Sequence, residues 1–150
     1  MQYWLFKSEP NEYSIDDLKR DKVTHWDGVR NYQARNTMRE QMAKGDLGFF
    51  YHSNCAQPGI VGLLSIVREG YPDHTAFDRE DPHFDPKSDP AAPRWFMVDV
   101  RYKRKLKRTI TLKELKEHAE LSDLALVRKG NRLSVMPVSA AHWEFILGLE

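Results

Sequence analysis

The sequence has little of several features that would define a function class. Cys55 is the only cysteine among 150 residues, so no internal disulfide can form, which fits a reducing compartment. The formal net charge is only +1, unlike a protein that holds long duplex by charge alone. No apolar run approaches the roughly 20 residues of a membrane span, and the first residues lack a signal-peptide pattern. We therefore expect a soluble, cytoplasmic protein with no membrane partner.

Motifs for metal binding and catalysis are also missing. The glycines never group as a phosphate-binding or dinucleotide-binding loop requires. His52 and Cys55 have the spacing of half a zinc knuckle, but no second pair follows, so we expect no metal site. No protease or hydrolase signature surrounds Cys55 either. These absences favour a protein that recognises its ligand without a cofactor and without chemical conversion.

The sequence is 41% hydrophobic and 30% charged, which is typical of an ordinary folded domain. We expect a single domain over residues 1–150. Apolar and aromatic runs predict strands at residues 3–6, 47–52, 60–67 and 133–138, and a period-two alternation predicts one at residues 95–103. Capping residues predict helices that begin after Ser14, Asn31, Thr111 and Ser139. A loop at residues 71–93, with five prolines and six acids, is predicted to be exposed. This mixed order predicts an α+β fold, a small and partly open β-barrel flanked by short helices.

The most informative stretch is WDGVRNYQARN, residues 26–36. Nearly every side chain in it has a planar face or several hydrogen-bond donors, which suits stacking on nucleobases and reading their edges. With Asn31 as a helix N-cap, residues 30–33 would lie at a helix N-terminus, where free N–H groups attract anions or carbonyl oxygens. We interpret the stretch as one wall of a pocket for a single nucleobase. The alternative is a loop entering an amphipathic helix, with Trp26 in the core and the polar groups solvated.

Further polar clusters follow two predicted strands, Lys7-Ser8-Glu9 in one case and Tyr51-His52-Ser53 in the other. Their hydrogen-bonding groups add to the case for recognition. Residues 101–108 contain six basic residues in eight. This run is interpreted either as a phosphate-contacting patch or as an edge strand that charge protects from aggregation.

Four blocks of the chain, YWLFKSEP, WDGVRNYQARN, LGFFYHSN and LSVMPVS, together resemble the EVE domain family of the PUA-like superfamily. The resemblance covers essentially the whole chain and implies a small barrel with a concave pocket. It also implies kinship with YTH domains, which read methylated adenine in RNA through an aromatic cage. EVE domains are accordingly expected to read a single modified base of DNA or RNA, with methylated or hydroxymethylated cytosine as leading candidates.

The resemblance assigns residues to roles. The Lys7-Ser8-Glu9 turn should contact the base edge, and residues 28–31 should lie over the base, with Arg30 in the position of a cage tryptophan. The predicted base pocket comprises Lys7, Ser8, Glu9, Trp26, Gly28, Val29, Arg30, Asn31, Tyr32, Gln33, Tyr51, His52, Ser53, Met136 and Pro137. The predicted phosphate contacts are Arg35, Lys103, Arg104 and Lys105. The expected partner is DNA or RNA with a modified base, bound by a monomer.

Two other functions compete with this one. An enzyme acting on a modified nucleobase or nucleotide could use Glu9, Asp27 or His52 as acid–base groups. A protein-interaction module could use the acidic, proline-rich loop. Turnover of a modified nucleoside would favour the enzyme, and loss of a partner on deletion of the loop would favour the module.

Overall fold

The computed structural model describes residues 1–150 and contains one six-stranded mixed sheet and four short α-helices. The strands are β1 (Tyr3–Ser8), β2 (Val23–Trp26), β3 (Leu47–His52), β4 (Gly59–Pro72), β5 (Phe96–Thr111) and β6 (Val135–Val138). The helices are α1 (Ile15–Asp21), α2 (Tyr32–Glu40), α3 (Leu112–Lys116) and α4 (Ala140–Leu147). The predicted α+β class is confirmed. None of the helices combines the length and apolar character that crossing a membrane requires.

The sheet has the order β2-β5-β4-β3-β1-β6. β1 runs parallel to β3, and every other pair is antiparallel. The edge strands β2 and β6 do not pair, so the sheet stays open. It is nevertheless rolled: in a flat sheet β2 and β1 would lie about 19 Å apart, yet the rings of Trp26 on β2 and Phe6 on β1 are 5.2 Å apart. Register shifts between β4 and its neighbours mark bulges that bend the strands.

Both faces of the sheet are covered. Alternate residues of β1 enter two different cores, Trp4 and Phe6 into one and Leu5 into the other. The first core includes Trp26 and the inner residues of α1 and α2, while the second is closed by Trp143 of α4. β1 is therefore a central strand, and its carboxyl end is held rigidly where the polar residues begin.

The four predicted helix caps are all present. Ser14 forms a capping box with Asp17 at the start of α1. The side chains of Asn31, Thr111 and Ser139 each accept a hydrogen bond from a first-turn backbone N–H of their helix. The second of these helices, α2, ends at Glu40.

Two predicted segments are corrected by the structure. The loop at 71–93 is not uniformly exposed: β4 extends to Pro72, and a 3-10 turn over His74–Phe77 buries Thr75 and Ala76 beside the buried Asp73. β5 continues through the basic run to Thr111, because it pairs with β4 as far as Gly59. Pro137 is tolerated inside β6, since that strand lies at the edge of the sheet.

Candidate functional site

A cavity of about 560 Å³ opens where β1 and β2 end. It is lined by Lys7, Ser8, Glu9, Glu12, Tyr13, Thr24, His25, Trp26, Asp27, Pro82 and His83. Its volume falls in the range of roughly 300–1,000 Å³ that small-ligand sites occupy. Because most of the lining side chains are polar, a ligand would be oriented mainly by hydrogen bonds and charge.

The indole of Trp26 forms the apolar wall of this cavity and is 8% exposed. Edge-on contacts with Phe6, Tyr13 and Phe50 hold it in place. Its indole N–H has no hydrogen-bond partner in the chain. It is not among the fully buried side-chain polar atoms that lack a partner, so it keeps some contact with solvent.

The turn after β1 is tied down by three hydrogen bonds. The Ser8 hydroxyl donates to the Tyr13 carbonyl (2.7 Å), and the Ser53 N–H donates to the Ser8 carbonyl (3.0 Å). The amide of Asn54 donates to Glu9 Oε1 (2.6 Å). The Ser8 hydroxyl proton is therefore donated within the protein, and the three bonds fix the position of the turn.

Lys7 supplies a cation to the cavity. Its side chain is half-buried, Nζ lies 5.7 Å from the centre of the Tyr51 ring, and no carboxylate is close enough for an ion pair. Burial lowers the pKa of Lys7 from its usual value, as expected when an ammonium group loses water without gaining a counter-ion. A ligand oxygen or ring nitrogen would satisfy this group.

Asp27 supplies a carboxyl group to the same cavity. Its Oδ2 lies 3.3 Å from His25 Nε2. Burial raises the pKa of Asp27, and repulsion from Asp73 adds to the effect, while His25 and His83 oppose it. Lys7 and Asp27 are thus an ammonium group and a carboxyl group of the cavity that are both less well solvated than in water.

Asp73, which is fully buried, connects the cavity to the long loop. It accepts hydrogen bonds from Gly28 N (2.8 Å), Arg30 Nη1 (3.0 Å) and both the N–H and hydroxyl of Thr75 (2.8 and 2.6 Å). Burial acts to raise the pKa of Asp73, but the hydrogen bonds from Thr75, Gly28 and Arg30 outweigh it and the pKa is lowered. Arg30 also donates twice to the His83 carbonyl (3.1 and 2.7 Å). The Asp73 network therefore holds the loop against the cavity rim.

The predicted base-contacting residues divide into two groups. Lys7, Ser8, Glu9 and Trp26 line the cavity. The remaining predicted residues, which do not line it, are Gly28, Val29, Arg30, Asn31, Tyr32, Gln33, Tyr51, His52, Ser53, Met136 and Pro137.

Several residues of the second group have structural tasks. Val29, Tyr51 and Met136 are buried in the two cores. Asn31 caps α2, and His52 Nε2 accepts from the Ile15 N–H (3.1 Å). Their hydrogen bonds and surfaces are used inside the protein, which is why they do not face the cavity.

Sequence reasoning considered Asp27 only as an acid–base group. The lining residues that it missed are Glu12, Tyr13, Thr24, His25, Pro82 and His83. Pro82 and His83 had no local signal, because only the Arg30 contacts bring their loop to the rim. Thr24 and His25 lie on β2 just before Trp26, and extending the polar stretch backward by two residues would have included them.

Outside the cavity, four side chains form a continuous stack. The Arg30 guanidinium lies 5.4 Å from the centre of the Trp95 ring, and Trp95 stacks on Tyr32 at 4.9 Å. The Arg35 guanidinium lies 4.9 Å from the centre of the Tyr32 ring. Tyr32 is 53% exposed. We call Arg30, Trp95, Tyr32 and Arg35 the aromatic stack. It begins at the cavity rim, where Arg30 meets His83.

Half of the basic residues in the run on β5 are paired with acids. Arg104 binds Glu150, Lys105 binds Asp16 (3.1 Å) and Arg108 binds Glu114 (2.7 Å). Among the predicted phosphate contacts, Lys103 is exposed and has no acidic partner, whereas Arg35 donates to the Arg94 carbonyl (2.9 Å). The run therefore presents less unpaired positive charge than its sequence suggests. No group of three or more potential ligand side chains is arranged to hold a metal ion.

Comparison with known proteins gives a consistent result. The family model described as EVE domain matches residues 2–149. Thymocyte nuclear protein 1 of Danio rerio is 50% identical in an alignment 166 residues long. This alignment covers 98% of the present chain and 71% of that protein. A Pseudomonas putida protein of known crystal structure is 50% identical, covers 98% of both chains and has a TM-score of 0.96. The crystal structure of human THYN1 protein in complex with 5-methylcytosine-containing DNA is 45% identical, covers 99% of this chain and 97% of that one, and has a TM-score of 0.95.

One expectation from the sequence is overturned by these relatives. We predicted a cytoplasmic protein from the single cysteine and the absence of targeting patterns. The fish, mouse and human relatives are named thymocyte nuclear protein 1, a name that refers to the nucleus, so the cytoplasmic prediction is wrong. Cysteine content cannot distinguish the two locations, because cytosol and nucleus are both reducing.

Proposed function

The chain belongs to the EVE domain family, and from that premise we propose that it is a non-catalytic reader of DNA that carries a modified cytosine. One nucleotide turns out of the stack, and its base enters the cavity between the ends of β1 and β2. Turning a base out of a duplex costs a few kcal/mol. Single-stranded or mismatched DNA should therefore bind more tightly than a fully paired duplex of the same sequence.

The observation that carries this proposal is the cavity itself. It joins a rigid aromatic wall, Trp26, to a half-buried cation, Lys7, in a space of about 560 Å³. A nucleobase presents a flat apolar face, which suits the Trp26 wall, and ring nitrogens and carbonyl oxygens, which suit the Lys7 cation. The ligand class is suggested by the human relative, whose structure contains 5-methylcytosine DNA.

The DNA strand on either side of the bound base needs its own contacts. We propose that it runs over the aromatic stack, where Tyr32 presents an exposed ring for a neighbouring base and Arg35 adds a cation. Lys103 is proposed as a more distant phosphate contact, because it is exposed and lacks an acidic partner. In this arrangement Arg30 is a structural tie between the cavity and the stack.

A second candidate function has one specific observation in its favour. Asp27 and His25 form a carboxyl–imidazole pair inside the cavity (3.3 Å), which could serve as an acid–base pair for conversion of a modified base. Prolonged incubation with modified oligonucleotides, followed by mass spectrometry of the nucleosides, separates the two functions. A new nucleoside would support the enzyme, and complete recovery of the starting base would support the reader.

Binding is tested with one oligonucleotide sequence that contains 5-methylcytosine, cytosine or an abasic site at its centre, in DNA and in RNA. Wild-type protein should prefer the 5-methylcytosine DNA. Lys7→Met keeps the aliphatic stem but removes the cation, and it should weaken that binding by about 1.5–3 kcal/mol, the worth of a charge-assisted hydrogen bond. Lys129→Met, at an exposed position outside the cavity, is the matched control. Equal binding of abasic and modified DNA by wild type would contradict the proposed function.

A further inference from the structure

We propose that Asp27 distinguishes 5-methylcytosine from thymine by accepting a hydrogen bond from the 4-amino group of cytosine. This inference rests on the proposed function, since it requires the base to enter the cavity. It assigns a specificity-determining role to a side chain beside the stacking wall formed by Trp26.

The need for such a residue follows from the chemistry of the two bases. Thymine also carries a methyl group at C5, so a pocket that recognises only the methyl group would bind every thymine in DNA. The two bases differ at C4, where cytosine has an amino donor and thymine a carbonyl acceptor, and at N3, where thymine carries a proton. Selectivity therefore requires an acceptor that faces the 4-position.

Three carboxylates line the cavity, and Asp27 is the one suited to this task. The hydrogen bond from Asn54 to Glu9 Oε1 (2.6 Å) ties the Glu9 side chain to the loop after β3, and Glu12 is exposed to solvent. Asp27 is part-buried, and within the chain its carboxyl group is approached only by His25 Nε2 at 3.3 Å. One carboxylate oxygen therefore remains available for an amino group in the cavity.

A donor in the cavity completes the discrimination. The Lys7 ammonium can donate to the N3 acceptor of cytosine. With thymine in the same orientation, the N3–H would meet a donor, and the O4 carbonyl would meet the Asp27 carboxylate. A site built around hydrogen bonds rejects an analogue that leaves its partly buried groups unpaired.

The test compares four probes in one single-stranded sequence, with 5-methylcytosine, thymine, 5-methyl-2-pyrimidinone (which lacks the amino group) or an abasic site at the centre. Wild type should bind 5-methylcytosine about 5- to 150-fold more tightly than thymine. Asp27→Asn presents an amide that can donate as well as accept, so this ratio should fall to within about threefold. Glu120→Gln makes the same charge change at an exposed position far along the chain and should leave the ratio unchanged.

The outcomes separate this inference from the proposed function. If wild type does not distinguish 5-methylcytosine from the abasic site, the proposed function fails. If it does, but Asp27→Asn keeps the wild-type ratio of 5-methylcytosine to thymine, only the role of Asp27 is overturned. The pyrimidinone probe needs no variant and thus does not depend on the folding of Asp27→Asn. If wild type binds it as tightly as 5-methylcytosine, the amino group is not read.

Discussion

The two halves of residues 26–36 have opposite roles in the structure, although both are rich in polar and planar groups. Trp26 and Asp27 line the cavity, and the Trp26 N–H has no partner within the chain. Gly28 and Arg30 donate to the buried Asp73, and Asn31 caps α2. One half presents unpaired groups to a ligand, while the other half holds the cavity together.

The difference shows that hydrogen-bonding capacity in a sequence does not reveal where it is used. Buried polar groups nearly always find partners within the protein. The partner of Arg30 lies 43 residues away in the chain, at a position that no local pattern connects with it. The following predictions test whether the two halves are separable, from the largest expected effect to the smallest.

Asp73→Ala should have the largest effect, a loss of about 3–5 kcal/mol in the free energy of unfolding. The substitution leaves the Arg30 guanidinium without its counter-ion and removes the acceptor of the Gly28 N–H and of Thr75. Denaturant unfolding measures the change. Glu80→Ala, at an exposed position in the same loop, should cost less than about 0.5 kcal/mol. A similar small loss for both variants would show that the second half is not a structural tie.

Much of the fold was predictable from the sequence because its signals are local. The cap residues Ser14 and Asn31 and the strand over residues 47–52 depend on neighbours within a few positions, and the structure contains them where the patterns predicted. The length of β5 was not predictable. Its extension through the basic run depends on pairing with β4, and charged side chains carry no signal for such pairing.

The candidate site was predictable only where it coincides with strand ends. Lys7 was identified because it leaves the predicted strand at residues 3–6, and Trp26 because it opens a stretch rich in planar and hydrogen-bonding groups. His83 was not, because its position depends on the contacts of Arg30 with the His83 carbonyl. Arg30 was predicted to lie over the base, and in the structure it bonds to Asp73 and to the His83 carbonyl at the cavity rim.

Tyr32→Ala tests whether part of the second half also contacts DNA. The ring is 53% exposed, so its removal should lower the free energy of unfolding only by about 0.5–1.5 kcal/mol, the worth of its stacking on Trp95. Loss of a stacked base should weaken single-strand binding by about 1–3 kcal/mol. Tyr32→Phe keeps the ring and should bind as wild type does in the same fluorescence titration. Unchanged affinity of Tyr32→Ala would confine DNA contact to the first half.

Gly28→Ala tests the junction between the halves. Gly28 has φ of +76°, and a Cβ there would lie 2.6 Å from His83 Nε2. Gly130 has φ of +80° with nothing within 4 Å, which makes Gly130→Ala a control for backbone strain alone. Both should cost about 1–2 kcal/mol of stability, but only Gly28→Ala should also weaken oligonucleotide binding, because it displaces His83 from the rim. Equal effects on binding would show that His83 does not shape the cavity.

The smallest expected effect concerns how protein stability depends on pH. It compares Asp27 of the first half with Asp73, the buried carboxylate that the second half binds. The folded-state pKa of Asp27 is raised, chiefly by burial. Its ionisation therefore disfavours the folded state, and this cost appears as the pH rises through the unfolded and then the folded pKa. Asp27→Asn removes this cost. The variant should therefore be more stable than wild type at pH 7, and this difference should shrink toward pH 3.

Asp73 should behave in the opposite way. Burial acts to raise its pKa, but the hydrogen bonds that it accepts lower it below the unfolded value. Its stabilising contribution is thus complete above the unfolded pKa and is lost as the pH falls through the folded one. Relative to wild type, Asp73→Asn should be less stable at pH 7, and the deficit should shrink toward pH 3. Denaturant unfolding of both variants at the two pH values gives the comparison. The quantity compared is the stability difference between each variant and wild type. If this difference changed with pH in the same direction for Asp27→Asn and Asp73→Asn, the two carboxyl groups would not have opposed environments.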